Sequence, residues 1–354
     1  MKILVFSLSG IGDALMFTPA LKILRQAYPD ALIDALCMFR GVKDIYENNP
    51  DLSNVYYFDM MKEGALKTFL YMLKLRGRYD VSFNVYPSNR KEYNLLSFFT
   101  GARRRAGVKY IRENNKNLGF LNNITVEEND LIHNVETNLR LVSAITGKTA
   151  DEVPGLHLPL TAGDEKFAVE YLSKKNITAG DLVIGFHPGC STLKNHINRR
   201  WEPEKFSRLA DLLSSRLNAK ILVFGGPEEQ ELKDLVVSGA GADNICSVTA
   251  GSLSQSAAIM KRCDLFVTND SSLMHVASAL KLKVVAIIGP TNVHYIHPWK
   301  TDYRIVSLNL ECSPCFFYSP KPLQCKRTDV LYKCVREITP EMVFEECRQF
   351  LSVK

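Results

Sequence analysis

The stretch CDLFVTNDSSLMHVASALKLKVVAIIGPT, Cys263–Thr291, reads as strand, sharp turn, helix, strand. DLFVTN is β-branched and aromatic until it ends in polar groups, and SSLMHVASAL begins a helix there. Strand–helix alternation of this kind builds a parallel sheet covered by helices. Asp270, Ser271, Ser272, Leu273 and His275 sit where strand meets helix. A helix start leaves N–H groups without intrahelical acceptors and carries partial positive charge, which suits a phosphate. Asp270 can bind sugar or ribose hydroxyls, and His275, four residues after Ser271, shares a face with the turn. The plainer alternative is that Asp270 caps the helix and His275 is a packed, hydrogen-bonded core residue.

Working outward, the alternation continues in both directions. LVIGFHPG, KILVFGG and NICSV are strand-like runs separated by helical stretches at 203–217, 228–238 and 254–262. Before a Pro/Gly-containing linker at 151–165, KILVFSL, ALIDALCM, NVYYFD and DVSFNVY alternate with helices near 62–76 and 89–99, and HNVETNLRLVSAITG closes the series. The expected architecture is α/β: two Rossmann-like, doubly wound parallel-sheet domains facing across a cleft. Residues 1–155 would form the first, and 156–336 the second with its Cys-rich tail. Residues 337–354 would form a closing helix packing back on the first domain. Ligands of such sheets sit beyond the carboxyl ends of the strands.

Composition narrows the function classes. With 354 residues, 46% hydrophobic and 23% charged, the chain reads as a globular protein of two domains. No apolar run approaches the roughly 18 residues of a membrane span, and MKILVFSL enters a strand without a leader, so a cytoplasmic protein is expected. The net charge of +6 divides evenly: residues 1–160 hold 20 basic and 17 acidic residues, and the remainder 24 and 21. That argues against a nucleic-acid-binding arm. The local cluster Arg103, Arg104, Arg105, with Lys109 and Arg112 nearby, suits a phosphorylated or membrane-surface partner, or is a solvated edge.

Three further stretches repeat the strand-to-helix geometry. SLSGIGDALMFTP places Gly10, Gly12 and Asp13 at a strand end, where a carboxylate can take a proton from a hydroxyl or simply cap the helix. It lacks the third glycine of a dinucleotide fingerprint. After HPG (His187–Gly189), a loop carrying Lys194, Arg199 and Arg200 can neutralise a diphosphate, and Trp201 with Pro203 opens a helix. FGGPEEQE offers Glu229 to ribose hydroxyls. Together, G-D-x5-T-P (Gly12, Asp13, Thr18, Pro19), H-P-G, the basic pair before Trp-x-Pro and N-D-S-x-x-M-H-x-A-x-A-L…G-P-T resemble the family 9 glycosyltransferases, the ADP-heptose:lipopolysaccharide heptosyltransferases and their relatives.

That resemblance implies a GT-B fold and an inverting, metal-independent transfer of a heptose or related sugar from an ADP-sugar to a phosphorylated lipid or inner-core acceptor. Asp13 becomes the general base; Arg199, Glu229, Asp270, Ser271, Ser272, Leu273 and His275 become donor contacts. Arg90, Lys91, Arg103, Arg104 and Arg105 become acceptor contacts. Two departures stand out: Arg199 replaces a lysine, and Ser272 replaces the usual glycine of the turn. No cofactor is required for catalysis, a peripheral contact with the inner membrane face is expected, and the chain would act as a monomer. The rival functions are a hydrolysing epimerase, a transferase with another donor, or a non-catalytic nucleotide-sugar-binding module.

Nine cysteines and no export signal favour thiols. Cys37, Cys190, Cys246, Cys263 and Cys347 lie in apolar contexts and read as core packing. Cys312, Cys315, Cys325 and Cys334 form C-x2-C-x9-C-x8-C, which can be a structural zinc site, free or paired thiols, or a cluster.

Overall fold

The computed structural model describes residues 1–149, 152–318 and 322–352, apart from the side chain of Lys194. One sheet holds β1 (Lys2–Ser7), β2 (Leu32–Cys37), β3 (Asn54–Tyr57), β4 (Val81–Asn84), β5 (Arg104–Lys109) and β6 (Ile124–Glu127) in the order β3-β2-β1-β4-β5-β6. The other holds β7 (Val183–His187), β8 (Lys220–Val223), β9 (Ile245–Ser247), β10 (Leu265–Asn269), β11 (Val284–Ile287) and β12 (Tyr303–Val306) in the order β12-β11-β10-β7-β8-β9. Every pairing is parallel. In each sheet the winding reverses beside its first strand, β1 or β7, so loops leaving neighbouring strands part there and open a crevice at the carboxyl rim.

The chain divides into two compact units. The first comprises Met1–Pro159 with His294–His297 and Tyr318, and the second takes nearly all of the remainder from Leu160 onward. Within the first, His133 Nε2 lies 2.9 Å from the carbonyl of His297, and Asn134 Nδ2 donates to the Tyr318 hydroxyl at 2.8 Å. The second begins with the helix Ala162–Lys174, whose N-cap Thr161 accepts from the Asp164 N–H.

Local sequence explains the framework of the first site-bearing helix, Ile11–Ala27. Pro19 lies inside it and cannot donate to the carbonyl four residues back. That carbonyl belongs to Leu15, and the Thr18 hydroxyl donates to it at 2.7 Å. Thr18 Oγ1 also accepts the His157 N–H at 2.9 Å, so the Thr-Pro pair repairs the helix and anchors the segment leaving the first unit.

Two expectations change. RRRAGVKYIR is not merely a basic edge, since Arg104–Lys109 forms β5, a strand whose charged residues hide its pattern. A Cβ at Gly107 would stand 2.6 Å from Asn122 Nδ2, so that strand needs glycine where it meets a buried asparagine network. The closing helix, Pro340–Ser352, expected to pack on the first domain, contributes its apolar face to the core of the second unit. Val343, Cys347 and Phe350 join the core formed by Phe206, Leu209, Leu213, Val285 and Ile287. Val343→Asp would bury an unpaired carboxylate there, at a penalty of several kcal/mol. Hydrogen exchange should then show lost protection in Pro203–Leu217 and β11–β12, with β1–β6 unchanged.

Candidate active site

The loops leaving β7, β8 and β10 are tied together by buried polar side chains. Asn269, fully buried, donates from Nδ2 to the Pro188 carbonyl at 2.7 Å and accepts the Trp201 N–H on Oδ1 at 3.0 Å. Trp201 is anchored in turn by its indole N–H on the Ile338 carbonyl at 2.8 Å. His187 bridges two loops: Nδ1 lies 2.8 Å from Ser271 Oγ, and Nε2 lies 3.0 Å from Glu229 Oε2. A carboxylate only accepts, so Nε2 carries the proton in this contact.

Glu229 sits where glycine leaves room. A Cβ at Gly189 would stand 1.8 Å from its Oε1, and one at Gly225 3.0 Å from its Oε2. The Gly226 N–H donates to Oε2 at 3.1 Å, while Arg200 reaches Oε1 at 3.5 Å and the Cys190 carbonyl at 2.9 Å. Burial works against the Glu229 carboxylate, yet the hydrogen bond and charge of His187, the Gly226 N–H and Arg200 outweigh it, so its pKa lies below the ordinary value.

Asp270 does not cap the helix Ser272–Ala279, whose N-cap residue is Ser271. Its Oδ2 instead accepts from Arg199 Nη1 at 2.5 Å and from the Thr291 hydroxyl at 2.6 Å. Arg199 lies 5.5 Å over the Phe316 ring, and Arg199 Nη2 lies 3.0 Å from His196 Nδ1. Its buried Nε has no hydrogen-bond acceptor among the described residues. Leu273 and His275 are buried on the helix, and Ser272 is half-buried at its start. Two carboxylates, two guanidinium groups and the first N–H groups of a helix thus converge at one carboxyl rim, an arrangement that can hold a diphosphate and adjoining hydroxyls.

On the first unit, Asp13 stands in the first turn after β1 and accepts the Gly10 N–H on Oδ2 at 3.1 Å, so it does cap its helix. The Ser9 hydroxyl donates to the Pro87 carbonyl at 2.7 Å and the Tyr93 hydroxyl to the Leu8 carbonyl at 2.8 Å, fastening this turn to the loop after β4 and to the helix Lys91–Phe99 that follows it.

The sequence profile of glycosyltransferase family 9 (heptosyltransferase) matches residues 74–325. The chain belongs to glycosyltransferase family 9. It is 26% identical to lipooligosaccharide heptosyltransferase 2 of Campylobacter jejuni and 24% identical to lipopolysaccharide heptosyltransferase 2 of Escherichia coli K12, each over 99% of both chains. The structure of E. coli ADP-heptose LPS heptosyltransferase II shares its fold with a TM-score of 0.75 at 22% identity, covering 99% of this chain and 98% of that one. The two units therefore have the GT-B type of architecture, and the protein is a glycosyltransferase.

In this family 9 transferase the predicted donor residues Arg199, Glu229, Asp270, Ser271, Ser272, Leu273 and His275 all lie at the second unit's carboxyl rim or on the helix leaving it. The predicted acceptor residues separate. Arg90 and Lys91 start the helix Lys91–Phe99 after β4, on the rim that carries Asp13. Arg103, Arg104 and Arg105 lie at the opposite, amino end of β5, where Arg104 is level with Val81 and Val81 with Ile3. Arg104 donates to the Ile145 carbonyl at 2.6 Å and Arg105 to that of Leu121 at 2.7 Å.

His187, Asn269 and Thr291 were not singled out by sequence, although H-P-G, N-D-S and G-P-T contained all three. Cys37, Cys190, Cys263 and Cys347 are buried, and burial pushes the Cys190 thiol up to about 11. Cys246 is half-buried. Cys312, Cys315, Cys325 and Cys334 are free thiols, and among the described residues no three His, Cys, Asp or Glu side chains are gathered to hold a metal ion. The tail nevertheless builds a wall of the site. The Cys315 and Phe316 N–H groups donate to the Pro290 carbonyl at 3.0 and 2.9 Å, setting Phe316 beneath Arg199.

Gly189→Ala should expel Glu229 from its seat and weaken nucleotide binding by on the order of tenfold, the scale of one lost charged hydrogen bond. Isothermal titration with ADP would measure it. In the parent protein the lowered Glu229 pKa keeps this contact ionised at neutral pH. The share of ADP affinity that Glu229→Gln removes should stay constant until acid drives pH down through that lowered value.

Proposed function

We propose that the protein transfers a heptose from an ADP-sugar to a phosphorylated, lipid-linked inner-core acceptor, with inversion at the anomeric carbon. The buried network of Arg199, Asp270, Ser271, His187 and Glu229 supports this reading, because carboxylates suited to ribose hydroxyls and guanidinium groups suited to a diphosphate lie side by side on one rim. The full-length likeness to heptosyltransferases supports the sugar class.

In the proposed step, the acceptor oxygen forms a bond to the anomeric carbon while its proton passes to the Asp13 carboxylate. The bond from that carbon to the β-phosphate oxygen breaks, and its electron pair leaves with ADP. Arg199, Arg200 and the helix start at Ser271–Leu273 meet the departing charge. A nucleoside diphosphate leaves readily, so a second carboxylic acid of the glycosidase kind is not needed. Arg90 and Lys91, beside the Asp13 turn, are the proposed anion contacts for the acceptor. The Cys-rich tail positions Phe316, and metal analysis of the purified protein distinguishes a structural zinc on Cys312, Cys315, Cys325 and Cys334 from free thiols.

Asp13→Asn should lower the transfer rate by about 10²–10⁴, the range general-base catalysis supplies. Its melting temperature should still rise with ADP-heptose, by the same amount as the parent's. Undiminished turnover would remove Asp13 from the base role. A panel of nucleotide-sugars read by the same melting shift identifies the donor, and ADP-heptose should give the largest shift.

A further inference from the structure

The helix Met60–Leu75 carries apolar side chains on two opposite faces. One face packs: Met72 and Leu75 are buried in the core with Leu4, Phe6 and Leu36, and Tyr71 stacks on Phe58 with ring centroids 4.3 Å apart. On the other, Leu66, Phe69, Leu70 and Leu73 follow the i, i+3, i+4, i+7 spacing of a stripe that normally turns inward. Here they are 72, 45, 50 and 45% exposed. With 3.6 residues per turn, the two stripes lie roughly 160° apart. Solvent therefore meets the second stripe because the helix rolls its other side onto the sheet. The patch extends sideways: Phe69 meets Phe99 edge-on at 5.9 Å, and Phe99 adjoins Phe98, which is itself exposed.

Cations border this face. Between Met60 and Arg78 stand Lys62, Lys67, Lys74, Arg76 and Arg78, against the single acid Glu63. Lys67 pairs with Glu63 at 2.7 Å. The Gly77 N–H donates to the Thr100 carbonyl at 2.7 Å, joining the basic end of the helix to the loop that runs into Arg103 and Arg105. Arg105 lies 5.5 Å over the Phe98 ring. The arginine cluster at the amino end of β5 and the end of this helix thus form one basic margin around one apolar stripe.

We propose that this face docks on an anionic lipid bilayer, with Leu66, Phe69, Leu70 and Leu73 entering the headgroup boundary and the surrounding lysines and arginines meeting lipid phosphates. An exposed apolar stripe edged by cations on a helix lying along the surface matches that environment in both polarity and charge. A second copy of the chain fits worse, because a two-fold contact through this face would set the same cations against each other. The inference rests on the exposed face alone and does not require the transfer reaction.

The test is co-sedimentation of the full chain with vesicles of phosphatidylethanolamine containing phosphatidylglycerol, compared with vesicles of phosphatidylcholine alone. The parent should pellet with the anionic vesicles and be released by salt, since surface attraction is screened within a Debye length. Phe69→Ser combined with Leu70→Ser should reduce partitioning at least tenfold, and Lys74→Ala should reduce it on the order of fivefold. All three positions are exposed, so melting temperature and the ADP-induced shift should be unchanged, showing that the variants are folded. No sedimentation of the parent, or equal sedimentation of the serine variant, would overturn the proposal. So would a parent dimer in solution that the serine variant converts to monomer, which would assign the face to a second copy.

Discussion

The site depends on one buried amide. Asn269 is the last residue of β10, and its side-chain hydrogen bonds hold both ends of the connection between β7 and the helix Pro203–Leu217, at Pro188 and at Trp201. Backbone groups at the ends of parallel strands have no ladder partner beyond the last pair, and a buried one left unpaired is destabilising by about 1–3 kcal/mol. A side-chain amide offers both a donor and an acceptor, so a single asparagine satisfies an orphan carbonyl and an orphan N–H together. Aspartate has the shape but lacks the donor. The same bonds fix the distance between H-P-G and the Asp270–Ser271 turn, and every later contact inherits that spacing.

Charge follows from this geometry. Arg199 meets Asp270 and Arg200 meets Glu229, so the rim is close to neutral before any anion arrives. At low exposure, attraction within each pair offsets a desolvation penalty that a lone charge would bear uncompensated. Each guanidinium has five N–H donors, and a carboxylate takes only some of them. The site therefore keeps directional donors for a diphosphate while remaining stable without one. Arginine suits this double duty better than lysine, whose ammonium is a point charge without a planar fork. That gives the lysine-to-arginine departure a physical sense: Arg199 can hold Asp270 with one edge, rest on Phe316 with its face and still carry unused donors.

The alternation of strands and helices was legible in the sequence because most strands are apolar runs ending in glycine or polar residues. β5 was not: Arg104 and Arg105 open it, and a charge run masks a strand whose neighbours supply the packing. The closing helix was legible as a helix, yet its partner was not, since amphipathic spacing shows that a face is buried and says nothing of what covers it. Donor residues were found because motifs at strand ends concentrate polar groups. His187 and Asn269 escaped because their work is done by bonds to residues 42 and 81 positions away, visible only after folding.

Strand polarity explains why two basic clusters of the first unit part company. In a parallel sheet every carboxyl end faces one rim, so a residue's place is set by whether it precedes or follows its strand. Arg90 and Lys91 follow β4 and share a rim with Asp13. Arg103–Arg105 open β5, and Arg104 is level with Ile3, four residues before β1 ends, or about 13 Å at 3.3 Å per residue. Proximity in sequence and likeness in charge had joined the clusters, while the direction of the chain through the sheet separates them. The first group can bear on chemistry at the rim. The second lies at the far end of the sheet, where the Gly77 N–H bond to the Thr100 carbonyl joins its loop to the end of the helix Met60–Leu75.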